Sequence, residues 1–287
     1  MKFKIVSDSS SNILSLSGIP YSSVPLKIIA GDKEYVDNAA LDLAGMVGDL
    51  KKHKGKSGTS CPNVGEWLEA FEDAEIVFCV TITKHLSGSY NAALQACNEY
   101  MEEHPERKAF VFDSLSAGPE LAMIIDKVRE LIDAGKDFET ICDTVLDYHN
   151  HLHTLFCLQS MNNLARNGRV NPAVAKIATA LGIRIVGDAV GGQLNPTLKP
   201  RGEKRALQTL MEQMEIRGLK DGGEVRIAHC FNSGAALELK EMLQRKYPNI
   251  RFIIEPTTAL CSYYAEVGGL IIGYSGKYNT DNLNHEH

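Results

Sequence analysis

The chain carries no surplus of positive charge. Its 30 Lys and Arg stand against 36 Asp and Glu, a net charge of −6. Nucleic acid is therefore not expected as the main partner, because neutralising phosphates requires clustered cations. Nor does any apolar run reach the roughly 20 residues of a membrane span. The seven cysteines are scattered, with no C-x-x-C pair. An odd count without framework spacing points to reduced thiols and a cytoplasmic location, and Cys79 and Cys230, inside strand-like runs, read as small core residues. The Met1-Lys2-Phe3-Lys4-Ile5-Val6 start runs directly into a strand, so no signal peptide is expected. Glycine-rich phosphate loops, metal-ligand motifs, a G-x-S-x-G elbow, internal repeats and low-complexity linkers are all lacking, so no cofactor or metal is expected.

What the chain does have is the make-up of a globular protein: 287 residues, 44% hydrophobic and 23% charged. That is enough for one large or two ordinary domains. The first half alternates short apolar runs (Phe3–Val6, Val24–Ile29, Ile76–Ile82, Phe110–Phe112, Leu155–Leu158) with helical patterns (Leu41–His53, Val64–Phe71, Ser89–Tyr100, Pro119–Asp133, Phe138–His149). This alternation predicts a parallel sheet covered on both faces, with ligands beyond the carboxyl ends of its strands. Ser7-Asp8-Ser9, Ser87 and Asp113-Ser114 fall at such ends. The second half mixes helices (Val174–Leu181, Gly202–Ile216, Ala235–Tyr247) with strands (Ile183–Val186, Val225–Ala228, Ile250–Glu255, Gly269–Tyr274) and a Gly191-Gly192 hairpin turn. The expected architecture is α/β in two domains: an N-terminal three-layer parallel-sheet domain over 1–158, and a smaller two-layer domain with a mixed sheet over 159–287. The ligand cleft lies between them.

Two hydroxyl-rich segments stand out, Gly58-Thr59-Ser60-Cys61-Pro62 and Leu86-Ser87-Gly88-Ser89-Tyr90. Each is read as a loop opening a helix, with Pro62 at the first helical position. Hydroxyls and unpaired amides at a helix start suit a carboxylate or phosphate, and neither turn contains a charged side chain. Such a site can hold an anion without reacting with it; an ordinary N-cap gives the same pattern. His149, His151 and His153 alternate, but no carboxylate or thiol motif completes a ligand set, and a solvated helix end is the plainer reading. His85 lies near Ser87, but no third member of a hydrolytic triad is evident. Asp8-Ser9-Ser10-Ser11-Asn12 reads as a turn lining the cleft. Arg166 and Arg169 can cap their helix, and Tyr263 and Tyr264 read as core or tunnel wall.

Taken together, Ile5-Val6-Ser7-Asp8-Ser9-Ser10, Thr59-Ser60-Cys61-Pro62, Leu86-Ser87-Gly88-Ser89-Tyr90, Phe112-Asp113-Ser114-Leu115-Ser116, Gly168-Arg169-Val170 and Lys199-Pro200-Arg201-Gly202 resemble the DegV family of fatty-acid-binding proteins over essentially the whole chain. The resemblance implies a two-domain α/β protein holding one long-chain (C14–C18) fatty acid between its domains and presenting the carboxylate to a fatty acid kinase. Carried over residue by residue, it implies carboxylate contacts at Thr59, Ser60, Ser87, Gly88 and Ser89, with Arg169 near the head group and Arg201 facing the kinase. One segment departs: many members have His-Thr-Gly-Pro-Gly near the C-terminus, its His on the carboxylate, whereas this chain has Tyr263-Tyr264-Ala265-Glu266-Val267-Gly268-Gly269. The competing expectation is an enzyme, a Ser87 esterase or a phosphotransferase acting on a small anionic substrate. A sensor signalling through a protein partner is the third. A monomer or weak dimer is expected.

Overall fold

The computed structural model describes residues 2–173 and 182–279. The helix expected over Val174–Leu181 lies outside the described residues.

Four strands, β1 (Phe3–Asp8), β2 (Tyr21–Val24), β6 (Ile76–Thr81) and β7 (Lys108–Asp113), form an all-parallel sheet in the order β2-β1-β6-β7. Every residue of β6 is buried, as expected of an apolar run covered on both faces. Side chains alternate between the faces. Ile5, Phe78 and Val80 pack beneath α4 (Pro119–Asp133) and α5 (Phe138–His149). Val6, Val77 and Cys79 pack beneath α2 (Val64–Phe71) and α3 (Ser89–Glu103). Three layers result, as expected.

The second sheet has six strands: β8 (Leu152–Leu158), β9 (Ile185–Val190), β10 (Gln193–Leu198), β11 (Glu224–His229), β12 (Arg251–Pro256) and β13 (Leu270–Ser275), ordered β10-β9-β8-β13-β11-β12. It is mixed; only β11 and β12 run parallel. Its outer face packs on α7 (Glu203–Ile216) and α8 (Ser233–Lys246) through Leu155, Val186, Val225, Ile227 and Ile272. Gly191-Gly192 forms the expected hairpin: Val190 pairs with Gln193, and both glycines have positive φ, the geometry of a two-residue type I′ turn.

Helix α4 joins the two sheets. Its first seven residues, Pro119 to Ile125, are all buried, as in a helix with protein on every side. Its N-terminal turn lies against Gly273 of β13, where a Cβ would stand 3.0 Å from Glu120 N and 3.1 Å from Met123 Sδ. A side chain at 273 would push the sheet off the helix.

Three expectations are corrected. Leu155–Leu158 does not close the first half: β8 is a central strand of the second sheet, between β9 and β13. The run Val24–Ile29 is not one strand. It breaks at Pro25, which lacks an N–H for a ladder, and β3 (Lys27–Ala30) then starts a small antiparallel sheet with β4 (Lys33–Val36) and β5 (Ser57–Ser60). Thr59 and Ser60 therefore lie on a strand, and α2 starts after Pro62: Asn63 caps it, accepting from Glu66 N–H at 3.0 Å while the Glu66 carboxylate accepts from Asn63 N–H at 2.8 Å.

A short helix, α9 (Ala259–Ala265), packs on the small sheet through Tyr263 and Ala259 against Ile28 and Met46, the latter on α1 (Leu43–Lys52). Asp37 holds the start of α9, accepting from Ala259 N–H at 2.8 Å and Leu260 N–H at 3.0 Å. Burial outweighs these bonds and raises the Asp37 pKa.

Candidate functional site

A narrow cavity of about 80 Å³ opens between the parallel sheet's carboxyl ends, the inner face of the six-stranded sheet and α9. From the segments that follow the strands of the first sheet come Leu26, Ile82, Ser116 and Ala117; β8 contributes Thr154, Phe156 and Leu158, and β13 contributes Ile271. Alternation along β8 explains the set: residues 154, 156 and 158 face inward, while Leu155 and Cys157 face the outer helices. The walls are dominated by Leu, Ile, Phe and Ala, so the cavity suits an apolar body.

Its polar groups fall in two places. The first holds Thr59, Ser87, Arg169 and Tyr264. Thr59 Oγ1 and Tyr264 Oη are 2.8 Å apart. One of their two hydroxyl hydrogens joins the pair, leaving the other to donate elsewhere. Burial raises the Tyr264 pKa, so the phenol stays protonated and able to donate. Arg169 follows α6 (Asn162–Arg166). Its Nε donates to Leu86 O at 3.1 Å and its Nη1 to Asn167 O. Nη2 has no protein acceptor among the described residues, so the guanidinium is fixed with one edge unused. Ser87 Oγ accepts from Ser89 N–H at 3.3 Å, keeping its own hydrogen for a ligand.

The other predicted residues are placed differently. Ser60 and Ser89 do not line the cavity. Ser60 pairs with Lys27 in the small sheet. Ser89 is fully buried and donates to Asp8 Oδ2 at 2.7 Å. Gly88 lies on the exposed rim beside Cys61, where a Cβ would come within 3.1 Å of the sulfur. The two hydroxyl-rich segments thus meet, but only Thr59 and Ser87 reach the cavity. Arg201 is exposed, bridges to Ile183 and lies away from the cavity. Asp8 is completely buried and also does not line it: its carboxylate accepts from Ser10 N–H at 3.2 Å and Ile82 N–H at 2.9 Å. It ties the Ser9–Ser11 turn to the loop bearing Ser87, and burial raises its pKa despite these bonds.

Tyr264, read from the sequence as core or tunnel wall, lines the cavity; what the sequence did not show is the place of its hydroxyl. A second aromatic in an apolar helix gives no sign that its hydroxyl meets Thr59.

The second polar place is Ser116 and Thr154, backed by two groups the sequence reading left unconnected. Ser116 Oγ donates to Thr154 Oγ1 at 2.7 Å, and Thr154 Oγ1 to Glu120 Oε2 at 2.6 Å. Glu120 Oε1 faces His149 Nε2 at 3.4 Å, and that nitrogen also bonds Ser114 O at 2.8 Å. His149 is 3% exposed and His153 9%, which overturns the solvated-helix-end reading of the histidine run. The three point apart: His151 to Asp147 O and His153 to Lys277 O. Burial pushes the His149 pKa down, but the hydrogen bond and charge of Glu120 push it up further, and the net shift is upward.

Comparison with known proteins places this geometry. A family model described as uncharacterised protein, DegV family, matches residues 2–276. A DegV domain-containing protein of Streptococcus pneumoniae is 37% identical over 279 residues, 96% of this chain and 99% of that one. A DegV family protein from Eubacterium eligens, solved loaded with heptadecanoic acid, superposes with a TM-score of 0.93 at 39% identity, covering 96% of this chain and all of that one. The Streptococcus pneumoniae Fatty Acid Kinase (Fak) B3 protein, solved loaded with linoleic acid, gives 0.94 at 36% identity with the same coverage.

Proposed function

The chain belongs to the DegV family, and from that premise we propose that it is a carrier: it binds one long-chain fatty acid, C14–C18, in the cavity between its two sheets and presents the carboxylate to a fatty acid kinase. It works in the cytoplasm and does no chemistry of its own. The two sheets mark two domains, with the ligand between them.

The observation that carries this reading is the cavity's polarity. An apolar-walled space carries one set of donors, Ser87, Arg169 and the Thr59–Tyr264 pair. An ionised carboxylate taken from water costs several kcal/mol unless its oxygens are hydrogen-bonded. Charge-assisted bonds from these donors, roughly 1.5–3 kcal/mol each, offset that cost. Each buried methylene adds about 0.8 kcal/mol, so a tail of about 15 carbons contributes on the order of 10 kcal/mol before ordering costs. The donors set orientation and the walls set affinity. Arg201, exposed and outside the cavity, is free to meet the kinase. Ser89, turned inward to Asp8, supports the loop that carries Ser87 and does not touch ligand.

The test is uptake of palmitate and oleate by delipidated protein, together with turnover of generic esters and of ATP with Mg²⁺. Stoichiometric uptake with no turnover is expected. Ester hydrolysis that Ser87→Ala abolishes would establish the enzyme reading instead.

A further inference from the structure

A plain fatty acid has one polar end, but this cavity has two polar places. The two places are separate but linked: Thr83 O accepts from Ser87 N–H at 3.3 Å, while Thr83 N–H donates to Ser116 O at 3.0 Å. Thr154, with Ser116, lies on the inward face of β8, four residues back from Leu158, which packs in one cluster with Tyr264. An unsubstituted chain would lay methylenes against these two hydroxyls.

The hydrogen bonds give this second place a direction. His149 Nε2 faces the carbonyl of Ser114, so that nitrogen carries the hydrogen, and it faces Glu120 as well. Glu120 therefore accepts from Thr154, and Thr154, its one hydrogen used, accepts from Ser116. Ser116 Oγ ends the chain with its hydrogen committed. Among the described residues no donor is directed at its lone pairs, and Ser116 is only 2% exposed. This second polar place is thus a fixed acceptor in a dry, apolar setting, where a donor would gain and a methylene would leave the acceptor unused.

Resting on the carrier reading above, we infer that this cavity selects a long-chain acid carrying a hydroxyl on its chain, the hydroxyl donating to Ser116 Oγ. A keto group at the same carbon offers no hydrogen and meets the acceptor lone pair to lone pair. The preferred order is therefore hydroxy acid, then unsubstituted acid, then keto acid.

The test is titration of the delipidated full chain with stearic acid, with hydroxystearic acids bearing the hydroxyl on each carbon from two to seventeen, and with the matching ketostearic acids. One hydroxy isomer is expected to bind about three- to tenfold more tightly than stearate, the yield of one neutral hydrogen bond in a dry site. Its keto counterpart should bind more weakly than stearate. In Ser116→Ala the hydroxy-to-stearate ratio should fall to one or below, and Ser116→Cys, a weak acceptor of similar size, should leave only part of it. If stearate binds and no hydroxy isomer exceeds it, the inference fails and the carrier reading stands. A preference that survives in Ser116→Ala also overturns it. If no acid binds, both fall.

Discussion

Replacing Tyr264 by Phe removes one oxygen and leaves the ring. The ring packs beside Tyr263, with centroids 4.9 Å apart, and in the cluster with Leu158 and Leu164; both contacts survive. What is lost is the 2.8 Å bond to Thr59 Oγ1 and the hydroxyl hydrogen the pair keeps for a ligand. The unliganded protein should lose about 1 kcal/mol of stability, the net value of a part-buried hydrogen bond. Binding should lose more. If the pair donates to the carboxylate, its removal forfeits roughly 1.5–3 kcal/mol, a roughly 10- to 150-fold weaker Kd. Displacement titration of delipidated protein with palmitate reads this directly. Hexadecanol is the control: it fills the walls but has no carboxylate, so its affinity should change severalfold at most. The reasoning is refuted if palmitate binds Tyr264→Phe as tightly as wild type, or if hexadecanol loses as much as palmitate.

Other expectations test separate parts of the account. Arg169→Ala should weaken palmitate binding roughly 10- to 100-fold by titration, since among the described residues its guanidinium is the one cation lining the cavity. Gly192→Ala should destabilise the chain by about 1–3 kcal/mol in urea unfolding: φ is +78°, and a Cβ would strike Thr83 Oγ1 and sit 2.8 Å from the His85 ring. For His149 the folded pKa is raised, so its stabilisation is full below the unfolded value near 6.5 and is lost as pH rises through the folded value. The thermal-melt gap between wild type and His149→Gln should be widest near pH 6 and narrow on the alkaline side; a gap that widens with pH would contradict the assignment. On the carrier reading, Arg201→Glu should keep its lipid but lower acyl phosphate formation by a fatty acid kinase.

The alternation of apolar runs and helical patterns was enough to read the parallel sheet, its two helical layers and the mixed second sheet. Those signals are local: β6 is apolar throughout because both faces are covered, and Asp137 caps α5 through Thr140 N–H at 2.8 Å. Sheet membership is not local. Leu152–Leu158 is buried at every position and looks the same in either sheet; its partner β13 lies more than 100 residues on. The small antiparallel sheet was hidden because β5, Ser-Gly-Thr-Ser, has turn composition and is a strand only by pairing with β3. Of the residues lining the cavity, Thr59, Ser87 and Arg169 were named from the sequence as ligand contacts and Tyr264 only as core or tunnel wall. Ser60 and Ser89 show the limit of the motif: hydroxyls alternate along a strand or wind round a helix, so neighbours in sequence face different ways. The Glu120–His149 pair was invisible because nothing near either residue in sequence names the other.

The most direct measurement is denaturing extraction of the purified protein followed by mass spectrometry of the released lipid. The account predicts close to one C14–C18 acid per chain, retained in part by Tyr264→Phe and Arg169→Ala. A protein that emerges empty, and that takes up neither added palmitate, oleate nor a hydroxystearate after delipidation, would contradict it.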